Sequence, residues 1–413
     1  MACSTASSRP RRLRNINQAA IVSEHLRVKI ALLTTDNREH QRTYEETVPR
    51  FGPAIESVLQ GLFRTPELEI HVVSCTQRPM YAPEKLSQNT WFHLLHVPKI
   101  GWLRTGYQGC VRAIRRKLRE LQPDLVHGEG TERECALSAV FSGFPNVVTI
   151  HGNMREVAHT LRAPIGSYLW CAARLECFTL PKSGGVLCNS EYTENVMVSS
   201  NRRTWRVANA LRLPFFETPL CFRDTAARPI LLNIGGINPR KRQVELLDLA
   251  EKLRSDGHSF EVHFIGAVHH LDAYTRMFLE RIKTAEKDGY ARYLGAMAID
   301  SLISKLDSAS ALVHVPTEEA FGLVVAEALA RNLKFFGSRV GGVPDIAEGV
   351  EGAELYGPDD EEGLIKAIGD WLTEGCRRPT TAANEMRLRY HPDVIAAGHL
   401  EIYQDMLSLA PRG

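Results

Sequence analysis

Short runs of β-branched and aliphatic residues recur along this chain, each followed by a longer amphipathic stretch, and the series occurs twice. The first series is Val28–Leu33, Glu69–Ser74, Asp124–His127, Val147–Ile150, Gly185–Cys188 and Trp205–Ala208, with a helical pattern from Gly52 to Phe63. The second is Ile230–Ile234, Phe260–Ile265, Ala291–Leu294, Ala311–Val315 and Lys334–Ser338, with a helical pattern from Arg242 to Ser255. Alternation of this kind implies parallel strands joined by crossover helices. The 413 residues therefore predict an α/β chain of two doubly wound, Rossmann-like domains. Their boundaries are placed at 28–212 and 229–388, with a linker over 213–228 and a loose basic leader over 1–27. Two such domains facing each other would bind ligand between the carboxyl ends of their strands.

Several classes of function are excluded early. A formal charge of +2 leaves no nucleic-acid footprint. No apolar run approaches the ~18 residues that span a bilayer. The leader lacks the apolar core of a signal peptide. The nine cysteines form no C-x-x-C pair and read as buried thiols of a reducing cytoplasm. No D-x-D in a strand-end loop, H-E-x-x-H or Cys/His cluster suggests a metal, so neither metal nor cofactor is expected. The first strand runs into Thr34-Thr35-Asp36-Asn37 instead of a G-x-G-x-x-G turn, which argues against a dinucleotide oxidoreductase.

Chemistry concentrates in Pro316-Thr317-Glu318-Glu319-Ala320-Phe321-Gly322-Leu323-Val324-Val325-Ala326-Glu327-Ala328-Leu329-Ala330. Glu319 precedes a predicted helix and Glu327 lies about a turn inside it. Side chains lean toward a helix N-terminus, so both acids can face that end. Free N–H groups near Phe321, Gly322 and Leu323 would favour a diphosphate there. Ionised carboxylates accept hydrogen bonds and suit sugar and ribose hydroxyls. A nucleotide sugar carries both features.

This stretch resembles the Glu-x7-Glu signature, E-G-F-G-L-x-x-x-E-A-M-A, of the retaining glycosyltransferases of family 4. Ala320 stands for the first Gly, and Ala328-Leu329-Ala330 for A-M-A. Gly341-Gly342-Val343-Pro344-Asp345-Ile346 is similar to the family's G-G-x-P-E-I. The resemblance implies the GT-B architecture, two Rossmann-like domains facing a central cleft, and a C-terminal helix over 389–413 that crosses back to the first domain. It also implies roles for further residues. Val148-Thr149-Ile150-His151-Gly152 resembles T-x-H-G, whose His lies by the donor sugar. Gly235-Gly236-Ile237-Asn238-Pro239-Arg240-Lys241 resembles G-R-L-x-P-x-K, whose cations meet the donor diphosphate. Lys241 matches, Gly236 replaces the Arg, and Arg240 is the substitute by proximity. Gly52 resembles the glycine-rich start where backbone approaches donor phosphate. The turn at Ala296-Met297 is the expected base-binding place.

Other segments carry weaker signals. Glu129 and Glu132 follow a strand and are candidate acceptor contacts. Thr131 and Glu134 have capping-box spacing. The charged loop from Thr35 to Arg50 either shapes an acceptor site or is a surface excursion. Arg112, Arg115, Arg116, Lys117 and Arg119 share a predicted helix within 105–121 with an apolar face of Val111, Ile114, Leu118 and Leu121. Such a helix packs on the sheet with a solvated basic face, or lies on the inner face of an anionic membrane.

The expected function is a retaining glycosyltransferase moving a sugar from a nucleotide-sugar donor to a glycan, lipid-linked or small-molecule hydroxyl acceptor. The expected catalytic residues are Glu319, His151 and Lys241. Expected donor contacts are Glu327, Arg240, Gly52, Phe321, Gly322, Leu323, Gly236 and Met297. Alternatives are a nucleotide-sugar epimerase on the same scaffold and a non-catalytic sugar-binding relic.

Overall fold

The computed structural model describes residues 27–222 and 228–409; the leader over 1–26, with Cys3, and part of the predicted linker lie outside the described residues. The first sheet contains β1 (Val28–Leu33), β2 (Leu68–Thr76), β3 (Lys85–Ser87), β4 (Thr90–His96), β5 (Leu125–Glu129), β6 (Asn146–Ile150), β7 (Val186–Cys188) and β8 (Thr204–Arg206). Its order is β3-β4-β2-β1-β5-β6-β7-β8, parallel except for the β3–β4 pair. The second contains β9 (Ile230–Ile234), β10 (Glu261–Ile265), β11 (Ala291–Tyr293), β12 (Ala311–His314), β13 (Lys334–Ser338) and β14 (Ala353–Tyr356). Its order is β11-β10-β9-β12-β13-β14 and every pair is parallel.

The strand sequences explain themselves. Ile30 to Leu33 are all buried, because helices cover both faces of a parallel sheet. Helix Pro53–Leu62 turns Ile55, Val58, Leu59 and Leu62 onto that sheet, and Pro53 starts it where an N–H would lack a partner anyway. β3, β4 and β14 have no counterpart in the sequence reading. Thr90–His96 breaks its apolar pairs Trp91-Phe92 and Leu94-Leu95 with His93 and His96, so it has neither the apolar run of its neighbours nor a clean alternation. The last strand of the first series ends at Arg206, two residues before the expected end.

In both sheets the strand order reverses beside the first strand, between β1 and β5 and between β9 and β12. Crevices open at such points, beyond the strand carboxyl ends. Helix Pro392–Leu409 lies against helix Pro53–Leu62 and buries Ile395, Ile402, Tyr403 and Met406 in the first domain's core. The segment after Leu211 is more than a tether. Phe215 is buried in the second domain's core, and Arg331 donates to the carbonyls of Phe215, Thr218 and Pro219 while paired with Asp307 at 2.7 Å.

Four of the cysteines depart from the expectation of burial. Cys177 and Cys221 are exposed, and Cys171 and Cys376 are half-buried. No helix among the described residues is long and apolar enough to cross a membrane.

Candidate active site

Between the two sheets lies a cleft of about 400 Å³. One wall comes from the second domain. β9 ends at Ile234, and the chain passes Gly235 and Gly236 into a short turn, Pro239–Lys241, capped by Asn238. This turn presents Lys241, whose Nζ donates to Glu319 Oε2. His314, at the end of β12, places Nε2 3.1 Å from the same oxygen. Burial opposes ionisation of Glu319, but Lys241 and His314 together outweigh it and hold the carboxyl well below its ordinary range. Burial pushes the His314 pKa down. His314 is therefore neutral near pH 7 and donates through Nε2, since the carboxylate can only accept.

The two motifs of the second domain form one object. Gly322 has φ +105° and caps helix Leu323–Leu329, a conformation that favours glycine. A Cβ on Gly341 would sit 1.8 Å from the Glu319 carbonyl oxygen. Gly342 N–H donates to that oxygen at 2.9 Å. The Gly341–Gly342 pair thus buttresses the Glu319 loop from below. Ala320 is not among the residues with positive φ, so the loop does not need the glycine it replaces.

The other wall comes from the first domain. Glu129 ends β5 and His151 follows β6, with Nε2 2.9 Å from Glu129 Oε2. Burial opposes ionisation of Glu129, yet His127 and His151 bring its pKa to about 2. Burial works against the His151 imidazolium, and Glu129 more than offsets it, so its pKa rises. Gly52 caps helix Pro53–Leu62 and lines the cleft, together with Thr34, Thr35, Asn37, Glu132 and Asn209.

The charged loop after β1 is pinned. Arg38 and Asp36 form an ion pair of 2.6 Å with both side chains fully buried. Arg38 also donates to the carbonyls of Glu46 and Tyr81, and Asp36 accepts the N–H groups of Arg38 and Arg50. The turn that carries Thr35 and Asn37 is therefore held against the sheet.

The cleft gathers Glu319, His151, Lys241, Gly52, Phe321, Gly322, Leu323, Glu129 and Glu132. Four predicted residues do not line it. Arg240 turns to Glu318, as Lys241 turns to Glu319, and its guanidinium points away from the cleft lining. Met297 packs on the second domain's core. Gly236 lies beside Gly235 but faces His269. Glu327 is buried inside its helix, 3.3 Å from Arg212; burial pushes its pKa up to about 7 against that guanidinium. The capping box is also absent. Arg133 is the N-cap, and Thr131 Oγ1 donates to Glu176 at 2.9 Å instead. A fully buried carboxylate demands donors more strongly than a helix end beside it.

Sequence reasoning missed Thr34, Thr35, Asn37, Asn209, His314, Glu318 and Arg212. Position after β1 was an available signal for the first three. Asn209 meets the cleft, and His314, Glu318 and Arg212 meet Glu319, Arg240 and Glu327, only through folding. The sequence also gave no sign that ligand atoms of Cys75, Cys110 and Glu134 come within 4.8 Å of one another, buried under helix Gln108–Leu121. On that helix Cys110, Val111, Ile114 and Leu118 are buried, Leu121 packs at their edge, and Arg112, Arg115, Arg116 and Arg119 are exposed.

Hydrogen bonds join the two domains. Ser190 Oγ donates to the Ala320 carbonyl at 2.6 Å, and Glu191 N–H to Asp345 Oδ2 at 2.6 Å.

Comparison with known proteins places this geometry. The family model described as glycosyl transferases group 1 matches residues 224–387, and that described as glycosyltransferase family 4 matches 63–209. The structure is similar to sucrose-phosphate synthase from Thermosynechococcus elongatus, with TM-score 0.68 and 16% identity over 93% of this chain and 100% of that one. It is also similar to HepE of Anabaena in complex with UDP and glucose, with TM-score 0.66 and 15% identity over 92% of this chain and 100% of that one. The lipopolysaccharide outer core galactosyltransferase WaaB aligns with TM-score 0.65 and 13% identity over 92% and 100% of the two chains. A sucrose synthase from Acidithiobacillus caldus is 34% identical over 98 residues, a match that spans 22% of this chain and 12% of that protein's length.

Proposed function

We propose that this chain, a member of the group 1 and family 4 glycosyltransferases with the GT-B fold, transfers a sugar from a nucleotide-sugar donor to a hydroxyl acceptor with retention of configuration. The observation that carries the reading is the meeting of Lys241 and Glu319 from one domain with His151 and Glu129 from the other across one cleft. HepE, crystallised with UDP and glucose, supports the donor class.

In this reading Lys241 leaves Glu319 and meets the donor diphosphate, where charge grows as the glycosidic bond breaks. Glu319 then accepts from a donor-sugar hydroxyl, and the N–H groups of Phe321 to Leu323 stabilise the leaving group. Glu327, buried against Arg212 in this structure, accepts from ribose hydroxyls once Arg212 swings aside to admit the nucleoside. The acceptor approaches from the face of the departing diphosphate, near Glu132, which has no ion-pair or hydrogen-bond partner among the described residues. The bond from the anomeric carbon to the diphosphate oxygen breaks, the bond to the acceptor oxygen forms, and a phosphate oxygen takes the acceptor's proton. His151 hydrogen-bonds the sugar near the reacting carbon. Lys241 supplies charge that a metal supplies elsewhere, so we expect turnover to survive chelation of divalent ions.

The test begins with thermal shift against nucleoside diphosphates and nucleotide sugars, since a ligand at a hundred times its Kd stabilises by about 2.7 kcal/mol. The donor that binds is then incubated with acceptors and the product anomer read by NMR. Retained configuration without a trapped glycosyl-enzyme is the expected result. An inverted product, a covalent adduct on Glu319 or Glu129, or binding with neither transfer nor hydrolysis would each overturn part of the reading. Conversion of the donor sugar to its epimer would favour the epimerase.

A contact with anionic lipid is a second element of the proposal. Ile100 and Leu103, 72% and 39% exposed, precede the helix whose arginines face solvent. Apolar side chains beside basic ones suit a lipid interface.

A further inference from the structure

His151 does not stand alone on its wall. Its Nε2 meets Glu129 Oε2 at 2.9 Å, and the other Glu129 oxygen lies 3.4 Å from His127 Nε2. His127 is fully buried; its Nε2 also lies 2.6 Å from Thr149 Oγ1, and its Nδ1 2.8 Å from the hydroxyl of Tyr403. Tyr403 comes from helix Pro392–Leu409, at the far end of the chain, and is itself fully buried. His399, one turn earlier, packs its ring 5.9 Å from that of His127.

The proton positions follow from what each group can do. The Ile395 carbonyl only accepts, so His399 donates to it through Nδ1 at 2.9 Å. Burial keeps His127 neutral near pH 7, with a pKa of about 4, so one of its nitrogens donates and the other accepts. Glu129 is ionised and needs donors. The arrangement that satisfies every group has the Tyr403 hydroxyl donating to His127 Nδ1. His127 Nε2–H then points at Thr149 and Glu129. Glu129 in turn accepts from His151 Nε2–H. That leaves His151 Nδ1, buried and without a hydrogen-bond partner, as the atom offered to a ligand.

We propose that Tyr403 is a positioning residue for His151: acting through His127 and Glu129, it fixes the His151 proton on Nε2 and turns Nδ1 toward the donor sugar. The inference rests on the glycosyltransferase reading for its consequence, but not for its geometry. It gives the C-terminal helix a part in the site as well as in packing. A second consequence is that Glu129 orients His151 and is not available to the acceptor. Glu132 is then the carboxylate on this wall that remains free for an acceptor hydroxyl.

Tyr403→Phe removes one hydroxyl and keeps the ring. His127 loses the partner that fixes its tautomer, and the Glu129–His151 contact loosens. The charged and titratable groups facing His151 are Glu129 from β5, Glu132 beyond it, and His127 and His399 behind Glu129. In ¹⁵N-detected histidine NMR of the full chain, assigned with His→Gln variants, wild-type His151 should be protonated at Nε2 and titrate above a free histidine. In Tyr403→Phe its tautomers should mix and its titration should fall. With a donor and acceptor in hand, kcat should fall about three- to tenfold with the donor KM nearly unchanged, and the acid limb of the pH profile should move with the NMR titration. Glu129→Gln should have the larger effect and should erase the further effect of Tyr403→Phe. His127→Gln, which can still accept from Tyr403 and donate to Glu129, should restore part of what His127→Phe removes. A Tyr403→Phe protein that is folded by circular dichroism, with the His151 tautomer and titration of the wild type, overturns the proposal. An NMR response without any sugar transfer would leave the network standing and sink the glycosyltransferase reading instead.

Discussion

The two walls of the cleft solve one problem with different partners. Each places a buried carboxylate beyond a strand end and sets an imidazole against it. On the second domain's wall, Glu319 also has the Lys241 ammonium. On the first domain's wall, Glu129 has only His127 and His151. The second wall thus carries fixed charge, suited to a diphosphate that gains negative charge as it departs. The first is held only by groups that titrate, so it should respond to pH more than the second. Glu327 is a third case, eight residues from Glu319 in the same motif. Its single partner Arg212 does not outweigh burial, and its pKa rises where that of Glu319 falls.

The largest effect should come from removing the fixed charge. Lys241→Ala leaves Glu319 buried beside a neutral histidine. Unfolding free energy should drop by about 3 kcal/mol in urea titrations, the lower end for a broken buried pair. Turnover should fall by roughly 10²–10³, as for loss of one group that stabilises developing charge. A loss confined to donor KM would show that both walls only bind.

Glu129 and Glu327 should show opposite pH slopes of similar size. The Glu129 pKa is depressed from 4.5 to about 2 in the folded chain, so its contribution is present above the unfolded value and fades as pH falls toward 2. Glu129→Gln should therefore cost roughly 2 kcal/mol at pH 7 and much less near pH 3. The Glu327 pKa is raised to about 7, so the wild type loses stability as pH rises from about 4.5 through 7. Glu327→Gln should gain relative to wild type by roughly 2 kcal/mol at pH 8 compared with pH 4. Equal slopes of one sign would break the comparison.

Nucleotide binding sharpens the case of Glu327. Ribose hydroxyls donating to its carboxylate would favour the ionised form. Calorimetry at pH 7 in buffers of different ionisation enthalpy should then show proton release, up to about half a proton for a group with a pKa of about 7, which Glu327→Gln abolishes. No proton exchange in the wild type would remove Glu327 from the ribose.

The smallest effects lie outside the cleft. Anionic vesicles should pull down the protein at low salt, and Ile100→Ser with Leu103→Ser should weaken that binding several-fold. A thiol reagent should label exposed Cys177 and Cys221 before buried Cys75, Cys110 and Cys188, with turnover unchanged.

The fold class was legible because parallel strands buried on both faces write themselves as apolar runs, as in Val28–Leu33 and Ile230–Ile234. β4 was illegible for the converse reason. It pairs with β2 through a register that places Trp91 and His93 opposite His71 and Val73, and such pairs leave no periodic mark. In the site, Glu319, Lys241 and His151 could be named because a motif fixes residue types at short range, and the fold gathers all three along one cleft. The direction of Arg240 was not legible, because proximity to Lys241 in sequence does not set it, and folding brought Glu318 to it from 78 residues away.

Sequence alone thus determined two doubly wound domains, the motif acids and the lysine, because each is written in local spacing. Only tertiary structure decided their states. Glu319 and Glu327 share one motif, yet Lys241 reaches the first while the second is buried against Arg212. Tyr403 reaches His127 across 276 residues. Ionisation depends on what surrounds a group in space, and those neighbours come from chain segments that no local spacing connects.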